Sequence, residues 1–143
     1  MTLDAMNKLA ISYAGAGRTD EALKLREEAL ALFRKAAGPQ HPATLVAMND
    51  LAWLLATSDA ATIRNGTNAV ELAEAAVAGT SRKNPDFLDT LAAAYAETQQ
   101  FDKAVAVEQE AITQYQTEPQ KKEAGSHLSL YRANKPYREQ RNP

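Results

Sequence analysis

Cysteine is absent from the chain, so it has neither a disulfide framework nor a thiolate metal site. Histidine is nearly absent. His41 and His127 stand far apart, without the spacing of a helical zinc motif, and neither a metal nor any other cofactor is expected. No run approaches the ~20 apolar residues that cross a bilayer, and Met1-Thr2-Leu3-Asp4 lacks the basic and apolar stretches of a leader. The expected compartment is the cytoplasm. An excess of one charge is missing too: the net charge is −2 and the isoelectric point about 5.7, and basic residues do not alternate with aromatic ones. Nucleic acid is therefore not an expected partner. Catalysis lacks its ordinary signs, since no nucleophile stands beside a base and no carboxylate pair declares itself. Gly15-Ala16-Gly17 follows no strand and reads as a helix terminator rather than a phosphate cradle. A non-enzymatic protein is expected.

What the chain does have is alanine and repetition. Of 143 residues, 45% are hydrophobic and 24% charged, the profile of one ordinary globular domain, and alanine favours helices that pack at close range. Thr2-Leu3-Asp4-Ala5-Met6-Asn7-Lys8-Leu9-Ala10 returns 42 residues later as Thr44-Leu45-Val46-Ala47-Met48-Asn49-Asp50-Leu51-Ala52, identical at seven of nine positions. A looser third copy runs from Asp86 to Tyr95. Apolar residues within the copies lie three and four apart, as in Ala22, Leu25, Ala29 and Leu32, so each copy is a helix pair. Pro42 and Pro85 stand at helix starts, where the missing amide has no intrahelical partner to lose. The pattern predicts helices over 2–15, 19–36, 43–57, 67–79, 85–98, 101–116 and 120–132, grouped as repeats 2–36, 43–79 and 85–116 with a seventh helix covering the last pair. One domain spans 1–133, and 134–143 reads as a basic, flexible tail. The turn between the second pair, Asp59 to Arg64, is longer than the others and reads as a surface insertion or a protruding contact loop.

The spacing Leu9, Ala10, Tyr13, Ala22, Ala29, repeated as Leu91, Ala92, Tyr95, Ala104, Ala111, resembles the tetratricopeptide (TPR) pattern. The phrase Gly38-Pro39-Gln40-His41-Pro42-Ala43-Thr44-Leu45 with Met48-Asn49-Asp50-Leu51-Ala52, and the long step, are similar to kinesin light chain repeats. The chain departs from them in having Leu55 at a tyrosine place, and Lys8 and Asp50 where a second asparagine is usual. The resemblance implies an all-α, right-handed solenoid whose first helices line a concave groove for a protein or an extended peptide. It extends to the small bacterial members of the family, short complete chains found with bacterial tubulins, and so implies an adaptor on bacterial tubulin filaments with a link to membrane. Groove positions carried over from the family fall on Asp4, Asn7, Lys8, Ile11 and Gly15, on Val46, Asn49, Asp50, Trp53 and Thr57, and on Asp86, Asp89, Thr90, Ala93 and Glu97.

Among these, Asn7, Lys8, Ile11, Asn49, Asp50, Trp53, Asp89 and Thr90 are the expected partner-binding residues. Asparagine matches a peptide backbone by donating and accepting at once, and Trp53 supplies contact area. Each has a duller reading, Trp53 as packing between pairs and Asn49 as a bond to an adjacent helix. Lys121, Lys122, Arg132, Lys135, Arg138 and Arg141 make the C-terminal end basic, which fits either weak contact with an anionic membrane or a solvated end without partner. A peptide-binding module of a larger protein and a self-associating scaffold, the latter through an uncovered first helix, stay open as alternatives.

Overall fold

The computed structural model describes residues 2–139, apart from the side chains of residues 3, 4, 7, 14 and 15. Among the described residues there are seven α-helices and no strand: α1 Leu3–Gly15, α2 Thr19–Ala37, α3 Pro42–Thr57, α4 Gly66–Gly79, α5 Pro85–Glu97, α6 Phe101–Gln114 and α7 Glu118–Arg132. Their starts are chemically marked. His41 Nδ1 accepts from the Ala43 amide at 3.1 Å, Asn84 Oδ1 from Asp86 at 3.0 Å, and Thr117 closes a capping box with Gln120. The first and third hairpin turns share one geometry. Gly17 and Gln99, each four residues past a tyrosine, adopt φ of 80° and 64°, and the next amide returns to the tyrosine carbonyl (Arg18 to Tyr13, 2.7 Å; Gln100 to Tyr95, 2.9 Å).

Each hairpin packs on the next, and the first helices also touch one another, α3 with α5 and α5 with α7. The described parts of α2, α4 and α6 make no such contacts. The stack therefore curves with its odd-numbered helices inside, which is the expected solenoid. Small residues make the close approaches. Ala52, Ala56, Ala69, Ala76, Ala92, Ala104 and Ala111 have no exposed surface, and a Cβ added to Gly79 would meet Leu45 Cδ1 at 2.7 Å. Helix α7 covers the last pair by burying Ala124, Leu128 and Tyr131. The long turn after α3 exposes Asp59, Ala61 and Thr62 but is fastened at its far end. Ile63 is buried, the Asn65 amide donates to the Leu55 carbonyl at 2.9 Å, and Arg64 donates to the Ser58 carbonyl at 2.8 Å.

The flexible tail expected from Asn134 is not what residues 134–139 form. Asn134 reverses the chain at φ 59°, and the Lys135 amide donates to the Leu130 carbonyl at 2.9 Å. The segment then crosses the inner face to α3. Side-chain complementarity holds it, where periodicity gives no warning.

Candidate functional site

Helices α3 and α5 form the floor of the groove. Arg26, Asn49, Asp50, Trp53, Asp86, Asp89 and Thr90 line a hollow of about 200 Å³. Arg26 Nη1 donates to Asp50 Oδ2 at 3.2 Å across the α2–α3 contact. Burial raises the Asp50 pKa and lowers that of Arg26, each opposed by attraction to the other. Asn49 Oδ1 is buried without a hydrogen-bond donor among the described residues. Thr90 is less available: it is buried, and its hydroxyl donates to the Asp86 carbonyl of its own helix at 3.1 Å.

A second hollow, about 240 Å³, opens between α5 and α7 and is lined by Trp53, Asp86, Asp89, Tyr115, Glu123 and His127 among others. His127 Nδ1 lies 2.9 Å from Asp89 Oδ1. Burial lowers the His127 pKa, but the hydrogen bond and charge of Asp89, aided by Glu123 and Glu139, outweigh it and leave the value raised. Beneath them Glu108 of α6 is wholly buried, and desolvation, reinforced by the neighbouring Asp89 carboxylate, pushes its pKa up to about 11.

The chain's own C-terminal segment lies across this surface. The Tyr137 ring sits 4.3 Å from that of His127 and 5.6 Å from that of Trp53, centroid to centroid. Arg138 Nη1 reaches Glu97 Oε2 at 2.6 Å, while Arg64 Nε approaches the other oxygen at 3.4 Å. The Glu139 amide donates to the Thr57 carbonyl at 2.7 Å, and Trp53 Nε1 donates to Glu139 Oε1 at 3.2 Å. Thr57 and Glu97, the last groove positions of their helices, thus anchor backbone and charge in an extended segment.

The structure brings Asn49, Asp50, Trp53, Asp89 and Thr90 together and leaves Lys8 and Ile11 apart on α1, both exposed. The side chain of Asn7 and all of Arg141 lie outside the described residues. Of the basic residues, Lys121 approaches Glu118 at 3.7 Å, Arg138 is tied to Glu97, and Lys122, Arg132 and Lys135 are exposed. Glu108, His127 and Tyr137 were missed as site residues. The sequence signal for the first two was a polar side chain on an apolar stripe, Glu108 between Ala104 and Ala111, His127 between Ala124 and Tyr131.

Comparison with known proteins agrees with this architecture. A family model described as tetratricopeptide repeat matches residues 1–64. A solved structure from Podosopora anserina, of nearly identical TPR-like repeats assigned to a kinesin light chain, superposes with a TM-score of 0.77 at 25% identity over 92% of this chain. A point variant of the same protein gives 0.76 at 24% identity over 92%. The chain spans 66% of the length of each, just under two thirds. No curated protein matches it. The fold is a TPR-type solenoid, the architecture of protein-binding scaffolds.

Proposed function

We propose that this chain is a non-enzymatic adaptor whose inner groove holds an extended protein segment with an aromatic residue followed by a cationic one. The observation that carries the reading is the C-terminal segment itself. Tyr137, Arg138 and Glu139 use an aromatic slot, a carboxylate and a free helix-end carbonyl contributed by α3, α5 and α7. These are the elements by which a groove recognises an extended peptide, with backbone bonding for affinity and pockets for alternate side chains.

A short tether holds its ligand at an effective concentration on the order of millimolar. A segment that binds in trans at ~100 μM would then occupy the groove about 90% of the time, and any partner must displace it. The test uses the chain ending at Arg132 and a peptide of residues 133–143. Trp53 is the sole tryptophan, so its fluorescence reports the groove alone. Saturable binding that Glu97→Ala weakens in this assay, and that Trp53→Ala weakens by calorimetry, supports the reading; no binding at millimolar peptide sinks it.

Within this reading, the kinesin-light-chain-type phrases favour a bacterial tubulin filament as the partner, and co-pelleting of the chain with such filaments tests that. Membrane linkage through the basic end has less support, because Arg138 is committed to Glu97. Co-sedimentation with anionic vesicles, undiminished when Lys122, Arg132 and Lys135 are neutralised together, would remove it. No helix of the described residues is long and apolar enough to cross a membrane.

A further inference from the structure

Under the groove floor, three helices converge on one set of donors. Asp89 of α5, Glu108 of α6 and His127 of α7 each direct a ligand-type atom to a common place, all within 4.8 Å of one another. We propose that Asp89, Glu108 and His127 form a binding site for one divalent transition-metal ion of the zinc or cobalt kind.

Glu108 is the independent observation. It has no exposed surface, and neither of its carboxylate oxygens receives a hydrogen bond from any described N–H or O–H donor. A buried, unpartnered carboxylate costs several kcal/mol unless something neutralises it. The choices are a proton shared with Asp89 or a cation. The spacing admits a cation: two donors bound tetrahedrally to one ion at ~2.1 Å lie ~3.4 Å apart, so His127 Nδ1 and Asp89 Oδ1, 2.9 Å apart across their hydrogen bond, need only give up the bridging proton and part by about half an ångström. An imidazole with two carboxylates suits zinc, cobalt or iron(II) and disfavours calcium and magnesium, which take all-oxygen sites. Access exists as well. The hollow between α5 and α7 reaches Asp89 and His127, with Asp86 and Glu123 on its wall to concentrate cations. The absence of a His-x-x-x-His spacing gave no hint of this, because each donor comes from a different helix, 19 residues from the next.

An ion here fastens the last hairpin to its covering helix and fixes the imidazole on which Tyr137 rests. Protons compete with it, so affinity rises with pH. The experiment takes the full chain, stripped with chelator and dialysed, and titrates it with Zn²⁺ by calorimetry and with Co²⁺ by visible absorption at pH 7.5. The expected result is one ion per chain, a Co²⁺ spectrum that Zn²⁺ abolishes, and a melting temperature that rises with Zn²⁺. Co²⁺ should quench Trp53, whose ring lies 6.2 Å from that of His127. Asp89→Asn, Glu108→Gln and His127→Gln should each weaken binding at least tenfold, and His41→Ala should leave it unchanged. A measurement on the unaltered chain stands beside these: with only two histidines, Co²⁺ must shift the imidazole proton signals of His127 and spare those of His41. The proposal is overturned if neither ion binds, if affinity and stoichiometry survive the three substitutions, or if the His127 signals stay in place.

Discussion

Replacing Tyr137 by alanine should release the C-terminal segment from the groove without unfolding the solenoid. The ring meets two others, those of His127 and Trp53. Each aromatic contact contributes about 0.5–1.5 kcal/mol beyond area burial, so the substitution removes about 1–3 kcal/mol from docking. At about 1.4 kcal/mol per decade, the docking equilibrium falls roughly five- to 150-fold. Such a loss decides the outcome because ordering each backbone residue costs about 1–2 kcal/mol, leaving little net stabilisation for a segment this short. Trp53 emission provides the assay, with the chain ending at Arg132 as the undocked reference. Tyr137→Ala should approach that reference. Tyr137→Phe, which keeps both ring contacts and loses only the bond to Glu139, should stay near the unaltered chain. If Tyr137→Ala leaves the emission unchanged, or if phenylalanine and alanine act alike, the rings do not hold the segment.

Glu108 makes stability pH-dependent with a definite sign. Its folded pKa is raised to about 11, so between about pH 4.5 and that value the folded state keeps a proton the unfolded chain releases, and stability falls as pH rises. At pH 7 the cost approaches about 3 kcal/mol, fixed by the distance of pH from the unfolded value. In chelator, urea unfolding between pH 5 and 8 should show that decline, and Glu108→Gln should flatten it; parallel slopes would contradict the assignment. Gln99 holds φ 64° where the first hairpin has Gly17. Gln99→Gly should therefore raise stability by about 0.5–1 kcal/mol in thermal unfolding, the relief of left-handed strain exceeding the added chain entropy. Ile63→Ala should cost about 2–4 kcal/mol in the same measurement, since the side chain fills a buried place that cannot collapse fully.

Much of the fold was legible because its determinants are local. Pro42, Pro85, Gly17 and the alanine stripes set helix starts, turns and close approaches within a few residues, and every helix begins and ends within two residues of its expected place. Ile63 shows the first limit. Its apolar side chain in a polar turn signalled burial, yet a turn has no period from which to assign a face. The groove was legible in part. Asn49, Asp50, Trp53 and Asp89 do share one surface, because the family pattern encodes which positions face inward. Glu108 and His127 stand on apolar faces, and periodicity alone treats such positions as core. Only the convergence of α5, α6 and α7 makes them neighbours of Asp89.

Tyr137, Arg138 and Glu139 belong to no repeat at all. Their positions follow from partners far back in the chain: Trp53 and Thr57 on α3, Glu97 on α5, His127 on α7. The same imidazole that receives Tyr137 from above bonds Asp89 below, and Asp89 neighbours Glu108. Groove occupancy and the charge state of the buried donors therefore act on one side chain. A ring packed at 48° against His127 senses whether its imidazole is neutral, protonated or bound to a cation, since an aromatic π system attracts positive charge. What occupies the groove and what neutralises Glu108 are thus physically coupled through His127, although no segment of the sequence contains both sets of residues.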